Sequence, residues 1–327
     1  SLMAQVGTPD EELLAARVQH AAALGDLGDV GTALDAAGEA ALAAFAGLRA
    51  VADGEGELMD AFRAFHFVPQ GLEALYPLAA VLPPVNRFFL DPAMRGDAAS
   101  AERFMQPPAH DKVGVMHFAA EEAGPEGERG GFWLYVPETY SPDRALPLVM
   151  ALHGGSGTGR KFLWSWLRDA RSRGAILAAP SSVGRTWALM GEDVDTPNIA
   201  RMVAFIRANW SVDPKHLLLT GMSDGGTFAY VSGLEAGSPF THLAPVSAAF
   251  HPVLAAMVDG ERVRGLPIHI VHGALDWMFP AATAREAARA LTAAGADVTH
   301  REIADLSHTY PREMNAVLLN WLAEERG

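Results

Sequence analysis

The turn "GMSDGG", Gly221–Gly226, sets Ser223 between glycines at the spacing G-x-S-x-G. An apolar run, "HLLLT", enters it and a helix-like run, "TFAYVSGLEAG", leaves it. A strand that turns sharply into a helix lifts such a serine above a sheet, where its hydroxyl can meet a substrate. A serine hydroxyl is a poor nucleophile without a base. His308, in "REIADLSHTYP", follows the last strand-like run and precedes the last helix-like run. An imidazole there can take the serine proton and later return it to a leaving group. Asp276, in "IHIVHGALDWMFP", leaves the preceding strand-like run and is the candidate for orienting that imidazole. Asp305 is the fallback acid, but three residues before His308 it is badly placed to hold the ring from behind. Among the twelve histidines, His269 and His272 read as structural residues of a strand, and His251 and His300 as surface or packing residues.

A second stretch, "LVMALHGGSGTGRKFLW", holds four glycines between two apolar runs. Gly154 to Lys161 comes near the phosphate-cradling pattern G-x-x-x-x-G-K-[ST], but Arg160 stands where lysine is needed and Lys161 where a hydroxyl is needed. A nucleotide loop is therefore disfavoured, and the two cations read as a solvated helix start.

The elements that must position these residues change character along the chain. The first third reads as helices: Thr8, Pro9 and Glu11 form a start signal, and Leu13, Leu14, Val18 and Ala22 recur on one face. A second helix is expected from about Thr32 to Ala52 and a shorter one from about Gly56 to Phe65. Pro107 and Pro108 suggest a boundary, giving residues 1–108 as a helical region and 109–327 as a catalytic unit. From Val113 onward eight strand-like runs appear, the first two joined by the Gly-rich turn "EEAGPEGERG" and the later ones alternating with helices. Such alternation predicts an α/β fold, a mostly parallel sheet covered on both faces, with sites at the carboxyl ends of its strands.

With 327 residues, half of them hydrophobic, the chain is long enough for two units and a sizeable core. Its net charge of −14 argues against a nucleic-acid binder and against docking on anionic lipid. No run is long enough for a membrane span. The absence of cysteine removes disulfides, thiol nucleophiles and Cys-ligated zinc, and no H-E-x-x-H stands in the chain, so no metal and no organic cofactor is expected. Ser1 and Leu2 read as additions ahead of Met3. The compartment expected is the cytoplasm, with a leader removed ahead of the first residue as the alternative; a homodimer is left open.

From about Val113 to the C-terminus, "HGGSG", "GMSDGG", "HGALDWMFP" and "SHTYP" together resemble the α/β-hydrolase superfamily, in the compact form of the phospholipase/carboxylesterase and polyhydroxybutyrate-depolymerase-like esterases. The order Ser223, Asp276, His308 is the order of that architecture. The resemblance implies a serine hydrolase that cleaves carboxylic esters through an acyl-enzyme, acting on a small-molecule ester. It further implies an oxyanion hole formed by the amide of Asp224 and a member of the Gly154, Gly155, Ser156 segment. A thioesterase or peptidase with the same triad, or a non-catalytic binding protein that kept the fold, are the alternatives. Trp187 and Trp277 are expected to line an acyl or aryl pocket, while Trp164 and Trp166 are expected in the core. The segment from Phe250 to Gly265 is short for a lid, so the apolar stretch "FHFVPQGLEALYPLAAVLPPVNRFF" is expected to bury itself, with the pocket mouth as one location.

Overall fold

The computed structural model describes residues 9–57, 60, 63–120, 129–250, 254 and 258–324. Outside the described residues lie the expected cap at Thr8, the side chain of Glu11, positions 121–128 of the Gly-rich turn, His251, and positions 251–253 and 255–257 of the short segment. The chain falls into two compact units, Ser1–Gln106 and Pro107–Gly327.

The first unit is helical, with α1 (Pro9–Asp26), α2 (Asp29–Ala52), α3 (Phe67–Leu75), α4 (Pro83–Phe88) and α5 (Ala98–Arg103) among the described residues. The apolar face expected on α1 is not a core: Leu14 and Val18 are exposed. That helix instead reaches α2 through Arg17, whose guanidinium contacts Asp35 and Glu39. The apolar stretch after residue 65 is divided: Leu78, Val85, Phe89 and Leu90 are buried, whereas Phe65, Val81 and Phe88 are exposed.

The second unit is built on eight strands: β1 (Gly114–Phe118), β2 (Phe132–Val136), β3 (Leu146–Leu152), β4 (Ile176–Pro180), β5 (Val212–Met222), β6 (His242–Val246), β7 (Pro267–Gly273) and β8 (Asp297–Ile303). They form one sheet in the order β1-β2-β4-β3-β5-β6-β7-β8. β2 pairs antiparallel with both of its neighbours, and every other pair is parallel. The central strands are continuous apolar runs because both faces are covered. Along β3, Leu148, Met150 and Leu152 join a core with α7 (Asp195–Asn209), α8 (Asp224–Gly233) and α10 (Ala281–Ala293) through Ile199, Met202, Phe228, Ala287 and Leu291. The opposite face carries α6 (Gly159–Arg173) and α11 (Met314–Leu322). Met314 packs there on Val246 and Val271, and the Asn315 side chain donates to the Ser165 carbonyl at 2.7 Å, tying the two helices together. A short α9 (Gly260–Val263) leads into β7. Each large apolar side chain removed from water in this core contributes about 1.5–3 kcal/mol. Trp164 and Trp166 are both buried on α6.

β5 extends over 11 residues, longer than the "HLLLT" run suggests, because "VDPK" adds a partly exposed lead-in across a register shift between Leu146 and Leu148. α11 begins only at Met314, since Pro311 stands in the turn before it. The consequence for chemistry is topological: the carboxyl ends of β3, β4, β5, β7 and β8 open on one rim of the sheet.

Candidate active site

Ser223 follows β5 directly and precedes α8, with φ 56° and ψ −120°. A non-glycine residue in that region costs about 1–3 kcal/mol and persists only where its surroundings impose it. The glycines around it explain how. A Cβ on Gly225 would fall 2.5 Å from the Leu152 carbonyl oxygen, and one on Gly221 would fall 2.5 Å from Gly225. A Cβ on Gly226 would lie 2.8 Å from the carbonyl oxygens of Gly221 and Val246. The turn therefore packs backbone against backbone, and the Ser223 N–H donates to the Val246 carbonyl at 2.9 Å.

Three side chains distant in sequence meet at the rim. His308 Nε2 lies 3.0 Å from Ser223 Oγ, and His308 Nδ1 lies 2.8 Å from Asp276 Oδ2. Ser223, Asp276 and His308 are each 8% exposed. Asp276 is held on its other oxygen too: Oδ1 accepts from Met278 N–H at 2.9 Å and from Phe279 N–H at 2.8 Å. Burial opposes its ionisation, but the donors from Phe279, His308 and Met278 outweigh that and hold its pKa below the ordinary carboxylate value. An ionised Asp276 accepts the Nδ1 hydrogen of His308, leaving Nε2 with a lone pair for the serine hydroxyl; the tautomer follows from this network. Phe279 and Trp277 meet the imidazole edge-on, with ring centres 5.4 Å and 6.1 Å away. Asp305 is exposed and takes no part in this arrangement.

The "HGG" loop lies against the serine. A Cβ on Gly154 would come within 3.7 Å of the Ser223 Cβ, and one on Gly155 within 2.8 Å of Asp224 Oδ2. His153, at the loop's start, escaped the sequence reading. Its Nε2 accepts from the Ser182 N–H at 3.1 Å, so its hydrogen sits on Nδ1 and is donated to the Gly154 carbonyl at 2.7 Å. Burial pushes its pKa down to about 4, which keeps the ring neutral. Ser156 adopts φ 59°, again outside the usual region. His272, read from sequence as structural, stands behind the acid: its Nε2 lies 2.9 Å from the Phe279 carbonyl and 3.4 Å from Asp276 Oδ2.

Of the two tryptophans expected in a pocket, Trp187 is not at its surface. It is 2% exposed, it stacks on Phe228 with ring centres 5.4 Å apart, and its indole N–H donates to the His153 carbonyl at 2.8 Å. An aromatic ring that closes a core from beneath offers no wall to a substrate. Trp277, by contrast, is 61% exposed beside His308. β6 supplies none of the three side chains, but it bridges them: its last carbonyl holds Ser223, and the next residue, Ser247 (φ 44°), donates its N–H to Val271 of β7 at 2.9 Å. Among the described residues no cluster of three or more His, Asp or Glu could hold a metal ion, and no helix is long and apolar enough to cross a membrane.

A mostly parallel eight-stranded sheet flanked by helices, with a serine raised at the turn after its central strand, is the α/β-hydrolase fold. Comparison with solved structures gives the same fold: the chain is similar to FphF, a fluorophosphonate-binding serine hydrolase of Staphylococcus aureus. That similarity has a TM-score of 0.51 at 14% identity, over 64% of this chain and 98% of that one. An acetyl xylan esterase from Aspergillus awamori is similar at a TM-score of 0.48 and 15% identity, over 63% of this chain and 99% of the other. A curated relative, the bifunctional acetylxylan esterase/xylanase XynS20E of Neocallimastix patriciarum, is 28% identical over 149 residues, which is 44% of this chain. The chain spans about a fifth, 21%, of that relative's length. No protein-family model matches the chain.

Proposed function

We propose that the chain is a serine hydrolase of carboxylic esters. The observation that carries the proposal is the His308 ring, within hydrogen-bond distance of Ser223 Oγ on one side and of Asp276 on the other. In this reading Ser223 Oγ attacks the acyl carbon while His308 Nε2 takes its proton. Asp276 keeps the ring in the required tautomer and stabilises the imidazolium. The negative oxygen of the tetrahedral intermediate is received by the Asp224 N–H, at the start of α8, and by an N–H of the Gly154–Ser156 loop. His308 then returns the proton to the leaving alcohol, and water cleaves the acyl-enzyme by the same steps in reverse roles. Esters are favoured over amides because the curated relative is named for acetylxylan esterase activity. Trp277 is the aromatic residue assigned to the substrate side of the rim.

The test is covalent labelling with a fluorophosphonate and mass mapping of the adduct. The expected result is modification at Ser223, absent in Ser223→Ala and weak in His308→Ala, together with hydrolysis of p-nitrophenyl esters by the unmodified chain. An adduct elsewhere, or turnover that survives Ser223→Ala, removes the proposal. Thioester and peptide substrates run beside the esters separate the acyl classes.

A further inference from the structure

Three consecutive residues after β4 each donate a hydrogen bond to a different piece of the rim. Arg185 Nε reaches Ser156 Oγ at 3.2 Å, Thr186 Oγ1 reaches Asp224 Oδ2 at 2.6 Å, and Trp187 Nε1 reaches the His153 carbonyl at 2.8 Å. The acceptors belong to both halves of the oxyanion hole assigned above. His153 and Ser156 flank the Gly154–Gly155 pair, and Asp224 follows the nucleophile. The halves also touch each other through Asp224, whose Oδ2 lies where a Cβ on Gly155 would come within 2.8 Å.

The segment that carries these donors is itself anchored. Asp195, 1% exposed, accepts from Val183 N–H at 2.8 Å on Oδ1 and from Ala188 N–H at 2.9 Å on Oδ2, so one buried carboxylate grips the backbone on both sides of the three residues. Its own position is set by the first turn of α7, where the Asp193 side chain accepts from the N–H groups of Asp195 and Thr196. Trp187 also closes the core, but the other two donors are not needed for that, since Arg185 is exposed and Thr186 half-buried.

Oxyanion donors are effective only when already fixed at the spacing that the developing charge requires. Here the two donors come from different elements, the loop after β3 and the start of α8, and no covalent link sets the distance between them. We propose that Arg185, Thr186 and Trp187 are positioning residues that strap the two halves of the oxyanion hole together, with Asp195 as the anchor of the strap. The proposal rests on the serine-hydrolase reading above. Thr186 is its centre: the short bond from its hydroxyl to a carboxylate is of the charge-assisted kind, and Asp224 carries one donor on its backbone.

The experiment compares the unmodified chain with Thr186→Val and Thr186→Ser. Two quantities are read: steady-state hydrolysis of p-nitrophenyl acetate, and inhibition by an alkyl trifluoromethyl ketone, whose hemiketal with serine places a negative oxygen in the hole. Thr186→Val keeps the volume and loses the hydroxyl. It is expected to lower kcat by roughly ten- to a hundredfold with KM within about twofold, and to weaken the ketone by a similar factor as kcat/KM. Thr186→Ser is expected to restore most of both. Arg185→Met, at an exposed position, repeats the test with a smaller expected loss of roughly threefold, and decides the matter if Thr186→Val does not fold. Unchanged kcat and ketone affinity would overturn the strap. So would a fall in kcat that leaves the ketone unaffected, or a serine variant no better than valine. If the unmodified chain shows no Ser223-dependent turnover, the parent reading fails and the strap with it; if that turnover is present and the variants keep it, the strap alone fails.

Discussion

The two sides of the rim are built on opposite plans. On the side of β3 and β5, the groups assigned to the proposed chemistry are mostly backbone, and glycines let peptide planes touch; His153 and Trp187 seal the loop from beneath. On the side of β7 and β8, the groups that matter are side chains, Asp276 and His308, and the surface around them is open and apolar, with Leu275, Trp277 and Met278 exposed. A backbone donor has no rotamers, so the first side can be fixed only by fixing the chain itself. A carboxylate and an imidazole can be fixed by hydrogen bonds to their own tips, as Met278 and Phe279 do for Asp276, and the surrounding surface is left free to meet a substrate. The first side should therefore tolerate no added volume, and the second should tolerate substitution with altered selectivity.

The sharpest way to break that contrast is Gly225→Ala. The added methyl would press on the carbonyl oxygens of His153 and Leu152, so the turn must move. Activity is expected to fall at least about a hundredfold, with a lowered Tm, because a shift near 1 Å of the reacting groups has that effect. Gly237→Ala, where nothing lies within 4 Å, is the control. Near-normal turnover and Tm in Gly225→Ala would show that the turn is not as closely packed as described.

A second test uses acid. The His153 pKa lies at about 4 in the folded chain against 6.5 as its ordinary value. Between those values the unfolded chain binds the extra proton and the folded chain does not, so stability must fall as pH drops from about 6.5 towards about 4. The loss from this one group is on the order of 3 kcal/mol. Urea midpoints at pH 7 and pH 4.5 measure it, and His153→Asn should flatten the dependence. An equally steep fall in the variant would assign the acid sensitivity elsewhere.

The smallest effect concerns the open side. Trp277→Ala should change stability by no more than about 0.5 kcal/mol, as for most exposed positions. It should lower kcat/KM several-fold for bulky aryl or long acyl esters, while acetyl esters are unaffected. An unchanged ratio between the two ester classes removes Trp277 from the substrate surface.

Much of this was legible in the residues. Ser223 stands out as a glycine-flanked serine between a strand-like and a helix-like run, and Asp276 and His308 as residues at carboxyl ends of later strands; the structure brings the three side chains within hydrogen-bond distance. The eight strands were visible as apolar runs. The antiparallel insertion of β2 beside β4 was not, because pairing between strands distant in sequence leaves no local pattern. Trp187 was misread for a similar reason: an indole that plugs a core and one that lines a pocket have the same sequence neighbourhood, and only the depth of the site separates them. His153, Thr186 and Asp195 escaped because their roles consist of hydrogen bonds to backbone and to distant side chains. The one available sign was that "RTW" falls after the carboxyl end of β4.

β6 bears none of the three side chains that meet at the rim, yet it is the gauge of the whole assembly. It lies between the strand that delivers the hydroxyl and the strand that delivers the carboxylate, two strand spacings or about 10 Å apart, the gap that one imidazole and its two hydrogen bonds must span. Since Val246 grips one neighbour and Ser247 the other, any widening or shear at this mute strand would be felt first as longer hydrogen bonds on either side of the His308 ring.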